Sequence, residues 1–454
     1  MHQRKLYDYE QRALTWAFPR KLIVLFMEMR LGKTLIAIRW ASQLFGRILV
    51  VAPLAVCPVW QQELFLEQHS SALLTGDWKT KNQILEDDDV NWFITNYESL
   101  HQSRKPSAIF DYRWDCVILD ESTFIRNPKA LRTKMCLKYF DEVQYRCILT
   151  GLPNPESAMD YFEQMAFVYG DFLGCRNFWE FRHKYFRQQG TQWNWQPRKK
   201  TISKIKKSIS VNTFSLTRKQ AGVGSKKIYQ KRYVTLPSHI RKEYDNIEKD
   251  FALGNRETKW TIVTRVWLAR LAGGQPEEAE YCSPHKAKEI SGLLQNELAD
   301  QQCVIWFRFT SEILFVHHWL NTKHISNDFI NGDVSPAERE RTIKRFRKGK
   351  FRCLLVQLKC GKFGLDYSCA STAIYYSNSF EHEERRQSED RIIHPGKVEP
   401  VLIIDVLTEN TIDEDIYSAL RTKNMNAKLF AHKIIENFEK RIRRKLKWQR
   451  QKIQ

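Results

Sequence analysis

The sequence predicts an α/β protein of two doubly wound parallel-sheet lobes with a mainly helical, basic insertion between them. Short runs dominated by apolar residues, KLIVLFMEM, GRILVVAPLAV and WDCVILDES, alternate with amphipathic stretches such as TLIAIRWASQLF and CPVWQQELFLEQ. That is the pattern of strands buried on both faces and covered by helices. The alternation stops near residue 155 and resumes near residue 285, and 454 residues exceed one ordinary domain.

Taken in order, VNWFITNYESL and YRCILTGLP complete a first lobe over residues 1–157. Residues 158–284 are rich in aromatic and basic side chains, with helical patches in SAMDYFEQMAFVYG, NFWEFRHKYF and HIRKEYDNIEKDFAL. A second lobe over 285–424 follows from KAKEISGLLQNEL, QQCVIWFRFTSEILFVHHWL, SPAERERTIKRFRKGK, FRCLLVQL, STAIYYSNS and EPVLIIDVL. Residues 425–454 read as a basic tail, helical or partly disordered.

Composition narrows the function classes. No run approaches 18 uncharged apolar residues, and MHQRKLYDYEQRALTWAF lacks the apolar core and cleavage site of a secretory signal, so a cytoplasmic chain with no membrane partner is expected. The ten cysteines show no CxxC pair or metal-ligand spacing, which suits reduced core thiols. The net charge of +21 is concentrated in two places. Residues 182–232 hold fifteen Lys and Arg and no acid, and residues 425–454 hold ten basic residues against two acidic, leaving the remainder close to neutral. A solvated basic face is the plain account of short charge runs; a run of this length points to a polyanion.

Leu31-Gly32-Lys33-Thr34 follows a strand-like run and precedes a helical one, where backbone amides and a helix N-terminus cradle phosphate. Lys33 would neutralise β- and γ-phosphate charge, and Thr34 would offer a hydroxyl to Mg2+. The strict glycine spacing fails, because Met27 stands at the first glycine position. Val117-Ile118-Leu119-Asp120-Glu121 is an apolar strand ending in two carboxylates. Asp120 would hold Mg2+ and Glu121 would orient and deprotonate the attacking water.

The segments MEMRLGKTLIAI, ILVVAPLAVCPVWQQEL, WDCVILDESTFIRNPKALRTK, ILTGLPNPES, GDVSPAERERTIKRFRKG, CGKFGLDYSCASTAIYY and RRQSEDRIIHPGK resemble, in order, the motifs of SWI/SNF-type translocases of helicase superfamily two. The resemblance runs from about residue 5 to residue 420 and implies two RecA-like lobes that bind ATP with Mg2+ and act on duplex DNA. Carried over, it places Met29, Arg30, Leu31, Gly32, Lys33 and Thr34 in the phosphate loop, Glu10 and Gln11 in the adenine-contacting segment, and Asp120 and Glu121 in the acidic box. Thr150, Gly151 and Pro153 fall in the motif that couples nucleotide state to DNA grip. Gly361, Gly364, Leu365 and Asp366 fall in a second-lobe loop that meets nucleic acid and nucleotide, and Gln387 and Arg391 in the closing motif.

Three positions depart from that pattern. Arg30 replaces a glycine, Glu10 replaces a glutamine, and His394 stands where an arginine finger is expected. Arginine carries a permanent, forked charge and histidine does not. Either Arg391 suffices, or Arg385 or Arg386 substitutes, or turnover is slow.

The expected function is an ATP-dependent translocase or helicase on double-stranded or branched DNA, acting as a monomer in replication, recombination or repair. The expected source is a small bacterial or phage system. Trp193 and Trp195, inside QWNWQ, would lie against a phosphate backbone, stack on a base, or anchor a core. An RNA-dependent ATPase of the same superfamily and a nucleic-acid-binding scaffold with weakened ATPase are the alternatives.

Overall fold

In LIVLFM, ILVVA and CVILD every residue or all but one is buried, because the strands they form lie inside a sheet with apolar cover on both faces. The structure, a computed structural model, describes residues 4–44, 46–102, 105–106, 108–151, 153, 157–188, 195–253, 262–274, 283–360, 366–394, 396, 399–421, 437 and 440–441. The chain divides into two compact units, Met1–Val223 and Gly224–Gln454.

The first unit begins with α1 (Asp8–Ala17), β1 (Leu22–Met27), α2 (Lys33–Ala41), β2 (Ile48–Ala52), α3 (Cys57–Leu66), β3 (Ser71–Leu73), α4 (Trp78–Leu85) and β4 (Trp92–Asn96). A two-residue ribbon, β5 (His101–Gln102) with β6 (Lys105–Pro106), leads to β7 (Cys116–Asp120), α5 (Leu131–Tyr139) and β8 (Tyr145–Thr150). Then come α6 (Tyr161–Tyr169), α7 (Phe178–Tyr185), the antiparallel ribbon of β9 (Phe186–Gln188) and β10 (Trp195–Pro197), α8 (Thr201–Asn212), β11 (Phe214–Leu216) and α9 (Arg218–Ala221). The seven-stranded sheet runs β11-β1-β8-β7-β2-β4-β3, with every pair parallel. Alternate residues serve opposite faces: Val24 and Phe26 join one core with Phe162 and Phe181, while Ile23, Leu25 and Met27 join another with Trp40 and Trp60.

The second unit contains β12 (Lys227–Val234), α10 (Ser238–Leu253), α11 (Ile262–Ala272), α12 (His285–Gln295), β13 (Cys303–Phe307), α13 (Thr310–Thr322), β14 (Asn327–Ile330) and α14 (Pro336–Arg347). It ends in β15 (Cys353–Gln357), β16 (Thr372–Tyr375), α15 (His382–Asp390), β17 (Val401–Thr408) and α16 (Ile412–Leu420). Its sheet order is β12-β17-β16-β13-β15-β14, again all parallel. The helix starts follow local chemistry. Ser335 caps α14 reciprocally with Glu338, and Pro336 occupies the first turn, where a missing amide costs nothing.

Segment 158–284 contributes to both sheets. β11 pairs with β1 in one and β12 with β17 in the other. Each is an edge strand, and β12 has no buried residue, so KIYQKRYV reads as charged surface rather than strand. Among the described residues no helix is long and apolar enough to cross a membrane.

Candidate functional site

The turn from β1 to α2 is built on two left-handed residues. Gly32, at φ +73°, caps α2, and Ile36 N–H donates to its carbonyl to start the helix. The amides before Ile36 precede the first intrahelical bond and lie at the helix N-terminus, a geometry that suits an anion. Arg30 has φ +68°. The position therefore has a glycine's conformation, and the arginine holds it at a cost of roughly 1–2 kcal/mol. Lys33 Nζ donates to Met27 O at 2.9 Å and Glu28 O at 3.2 Å, so its ammonium lies back across the turn. Leu31 is buried, while Met29 and Thr34 are half-buried.

Glu10 is buried on α1, and its Oε2 accepts from Tyr7 N at 2.9 Å. A Cβ built on Gly32 would lie 2.0 Å from Glu10 Oε1, so this carboxyl packs on the turn itself. Burial raises its pKa, against the Tyr7 amide and the charges of Arg4 and Arg39. Gln11, next to it, is exposed.

Asp120 ends β7, separated from β1 by β8 alone, so the two strand ends lie about 10 Å apart, the reach of a phosphate chain. Asp120 Oδ2 accepts from Trp60 Nε1 at 2.8 Å, Oδ1 from Glu121 N at 2.9 Å, and its backbone carbonyl from Tyr97 OH at 2.8 Å. Glu121 is left-handed, at φ +50°, a strained conformation for a non-glycine residue. Its Oε2 accepts from Thr150 Oγ1 at 3.2 Å. Gly151 approaches the phosphate turn: its Cβ would sit 3.5 Å from Met27 O and Met29 N. Gln164 on α6 accepts from Ser122 Oγ at 2.7 Å and donates to Pro153 O at 2.6 Å, joining the acidic box to the segment after β8.

Sequence reasoning missed Trp60, Tyr97, Gln164 and Glu28. Glu28, the residue after β1, takes the Arg218 amide at 2.9 Å and its guanidinium at 3.5 Å. No local signal marks such partners; Trp60 lies 60 positions from Asp120 and Glu28 190 from Arg218.

In the second unit Asp366 pairs with Arg347 at 3.3 Å and accepts from Ser368 N at 3.1 Å. Gln387 Nε2 donates to Glu383 at 2.9 Å, and Arg391 O accepts from Tyr367 N at 3.1 Å. His394 is exposed and its Nδ1 accepts from Gly396 N at 3.1 Å, which puts the proton of a neutral ring on Nε2. Arg385 is committed elsewhere. It is buried against Asp405 and Glu389 with its guanidinium 3.4 Å above the Tyr375 ring. Burial alone would raise Glu389, but Lys227 and Arg385 outweigh it and hold the carboxyl at about 2. Gly361, Gly364, Leu365 and Trp193 lie outside the described residues. Trp195 is half-buried on β10.

Two parallel α/β lobes, the first carrying a lysine-bearing strand-to-helix turn near paired strand-end acids, define a two-lobed nucleoside triphosphatase. The model of the SNF2-related domain matches residues 9–270 and that of the helicase conserved C-terminal domain residues 285–396. The chain belongs to the SNF2-related family.

The CHD3-type chromatin-remodeling factor CHR7 of Arabidopsis thaliana is 22% identical over 447 residues, covering 88% of this chain and 35% of the relative. The ISWI chromatin-remodeling complex ATPase ISW2 of Saccharomyces cerevisiae is 25% identical over 459 residues, covering 91% and 40%. The chain thus spans well under half the length of these curated relatives. Among solved structures, the Sulfolobus solfataricus SWI2/SNF2 ATPase core in complex with dsDNA superposes with a TM-score of 0.45 at 18% identity, covering 95% of this chain and 94% of that one.

Proposed function

We propose that the chain is a motor that hydrolyses ATP on its first lobe and moves along the phosphate backbone of double-stranded or branched DNA. The observation that carries this is the set of parallel strand ends β1, β8 and β7, which brings Lys33, Thr150 and the Asp120–Glu121 pair to one edge of one sheet.

In this reading the backbone amides of the first turn of α2 and the Lys33 ammonium bind the β- and γ-phosphates. Glu121, oriented by Thr150, takes the proton of the attacking water. Thr34 and Asp120 offer only oxygen donors, which suit a hard divalent cation, and the bonds from Trp60 and the Glu121 amide orient the Asp120 carboxylate. Those oxygens would hold Mg2+, which would supply charge neutralisation to the phosphates. Arg391 and His394 supply charge or hydrogen bonds to hydrolysis from the second lobe's closing motif.

The DNA contact is sequence-independent, made by the basic run of residues 182–232, and weakens as salt rises. The proposed setting is replication, recombination or repair in a bacterial or phage-infected cell. The deciding experiment measures ATP turnover with no nucleic acid, duplex DNA, single-stranded DNA, a branched junction and RNA. Duplex and branched DNA should stimulate most. Equal or greater stimulation by RNA overturns the DNA assignment, and turnover indifferent to every nucleic acid overturns the motor.

A further inference from the structure

Arg182, on the last turn of α7, is held between two indoles. Its guanidinium carbon lies 4.6 Å from the ring centroid of Trp179, one turn earlier, and 4.2 Å from that of Trp195 on β10. The chain just after β10 is fastened back on α7 and β9: Arg198 donates from Nε to Phe186 O at 3.1 Å and from NH2 to His183 O at 3.2 Å, and Thr201 Oγ1, at the start of α8, donates to Tyr185 O at 2.8 Å. The second indole is therefore placed by the fold. Trp179 is 42% exposed, and Lys129 Nζ lies 5.7 Å from its ring.

A guanidinium flanked by rings keeps its N–H donors in its own plane, directed past the ring edges. Among the described residues Arg182 has no hydrogen-bond acceptor or ion-pair partner, and its Nε is shielded from solvent. The acid nearest in sequence, Glu180, instead accepts from Arg176 N at 3.0 Å. The arginine begins the run of fifteen basic residues without an acid.

We propose that Arg182, clamped by Trp179 and Trp195, is a receptor for a backbone phosphate of nucleic acid, with Lys129 as the second cation of the subsite. The indoles fix the planar fork beforehand, so little side-chain entropy is lost when it closes on two phosphate oxygens. This deepens the DNA reading above and rests on it.

The test is the salt dependence of nucleotide-free DNA binding by the full chain, followed by anisotropy of a labelled duplex across a KCl titration, with inorganic phosphate as competitor. Arg182→Ala should bind roughly tenfold more weakly at low salt. Its slope of log K against log salt should be shallower by about 0.9, one phosphate contact. Arg182→Lys should restore the slope but not the full affinity, and Trp179→Ala should weaken binding while keeping the slope, because the charge remains. A folded Arg182→Ala with wild-type slope and affinity overturns the contact and leaves the DNA reading intact. Wild-type protein that binds no nucleic acid overturns both. Binding to RNA alone, with the same change of slope on Arg182→Ala, keeps the phosphate contact and removes DNA as its source. Displacement of the duplex by millimolar phosphate shows an anion site that does not need the polymer and overturns the backbone assignment.

Discussion

Thr150 Oγ1 donates to Glu121 Oε2 at 3.2 Å, so the residue ending β8 orients the carboxylate that follows β7. Thr150 is fully buried, and the left-handed backbone of Glu121 is stabilised only by its surroundings. Glu121→Gln should bind ATP and hydrolyse it about 10²–10⁴-fold more slowly, because an amide cannot take a proton from water. Thr150→Val keeps the shape and loses the hydroxyl, so turnover should fall less than in Glu121→Gln with ATP affinity unchanged. Single-turnover hydrolysis alongside ATP titration separates the two effects. Wild-type turnover in Glu121→Gln removes the residue from the role of base.

Lys33 touches the phosphate turn and, in the proposed scheme, no DNA. Lys33→Ala should therefore abolish ATP-dependent activity while nucleotide-free DNA binding survives, read by parallel turnover and anisotropy measurements. Loss of DNA binding in a folded Lys33→Ala would show that the lysine serves the nucleic acid instead.

The contact of Glu10 with Gly32 makes a third prediction. Gly32→Ala combines a left-handed φ with a Cβ 2.0 Å from Glu10 Oε1, so the Glu10 side chain must leave its place on the turn or the turn must shift, and ATP binding should weaken. Glu10→Gln keeps the volume and removes a negative charge beside the phosphate-binding turn, and should bind ATP at least as tightly as wild type. Weaker ATP binding by a folded Glu10→Gln would mean that the carboxylate itself contacts the nucleotide.

A fourth prediction concerns Glu312, buried on α13 in the second lobe. Its Oε2 accepts from Ser377 Oγ and from Phe309 N, and its Oε1 has no hydrogen-bond partner among the described residues. Burial pushes its pKa up to about 7 from the usual 4.5, against the Ser377 hydrogen bond and the Lys286 ammonium, with Asp413 adding a smaller rise. A pKa raised in the folded state contributes stability that is complete below about 4.5 and is lost as pH rises through about 7. The loss is on the order of 3 kcal/mol by pH 8. Glu312→Gln should therefore gain on wild type in urea midpoint as pH rises from 5 to 8, and parallel profiles would contradict the assignment.

Which of these features the sequence reveals follows from their range along the chain. Lys33 and Asp120 are legible because each lies at or shortly after the end of an apolar parallel strand, in a strand-to-helix turn or an acidic pair at the sheet's carboxyl edge, where ligands bind. β12 is not legible, because Lys227 to Val234 mix basic, aromatic and apolar residues without a continuous apolar run, lie on an edge and pair with Val401–Thr408 far along the chain. The clamp on Arg182 escapes for the same reason. Trp179 is one helical turn away and predictable, but Trp195 reaches it only through the ribbon that returns along α7. Arg30 looks like a defect in the phosphate loop until its φ of +68° shows that the backbone keeps the glycine shape without the glycine.

His394 tests whether the second lobe has lost a catalytic charge. The ring is exposed and uses Nδ1 to accept from Gly396 N, so it offers one N–H donor in the neutral form. Arg385 is buried against Asp405 and Glu389 and cannot replace it without breaking a buried ion pair, which costs about 3–5 kcal/mol. Arg386 and Arg391 remain as permanent charges in the segment, and Arg391 is the one that the resemblance puts in the closing motif. Arg391→Ala should therefore abolish hydrolysis while ATP binding largely survives. His394→Arg installs the charge that phosphoryl transfer rewards, and its turnover at saturating ATP and DNA should match or exceed wild type. His394→Ala should fall below both if the imidazole hydrogen bond contributes. Should His394→Ala equal wild type while His394→Arg is inactive, the histidine is structural, and Arg391 alone carries the role.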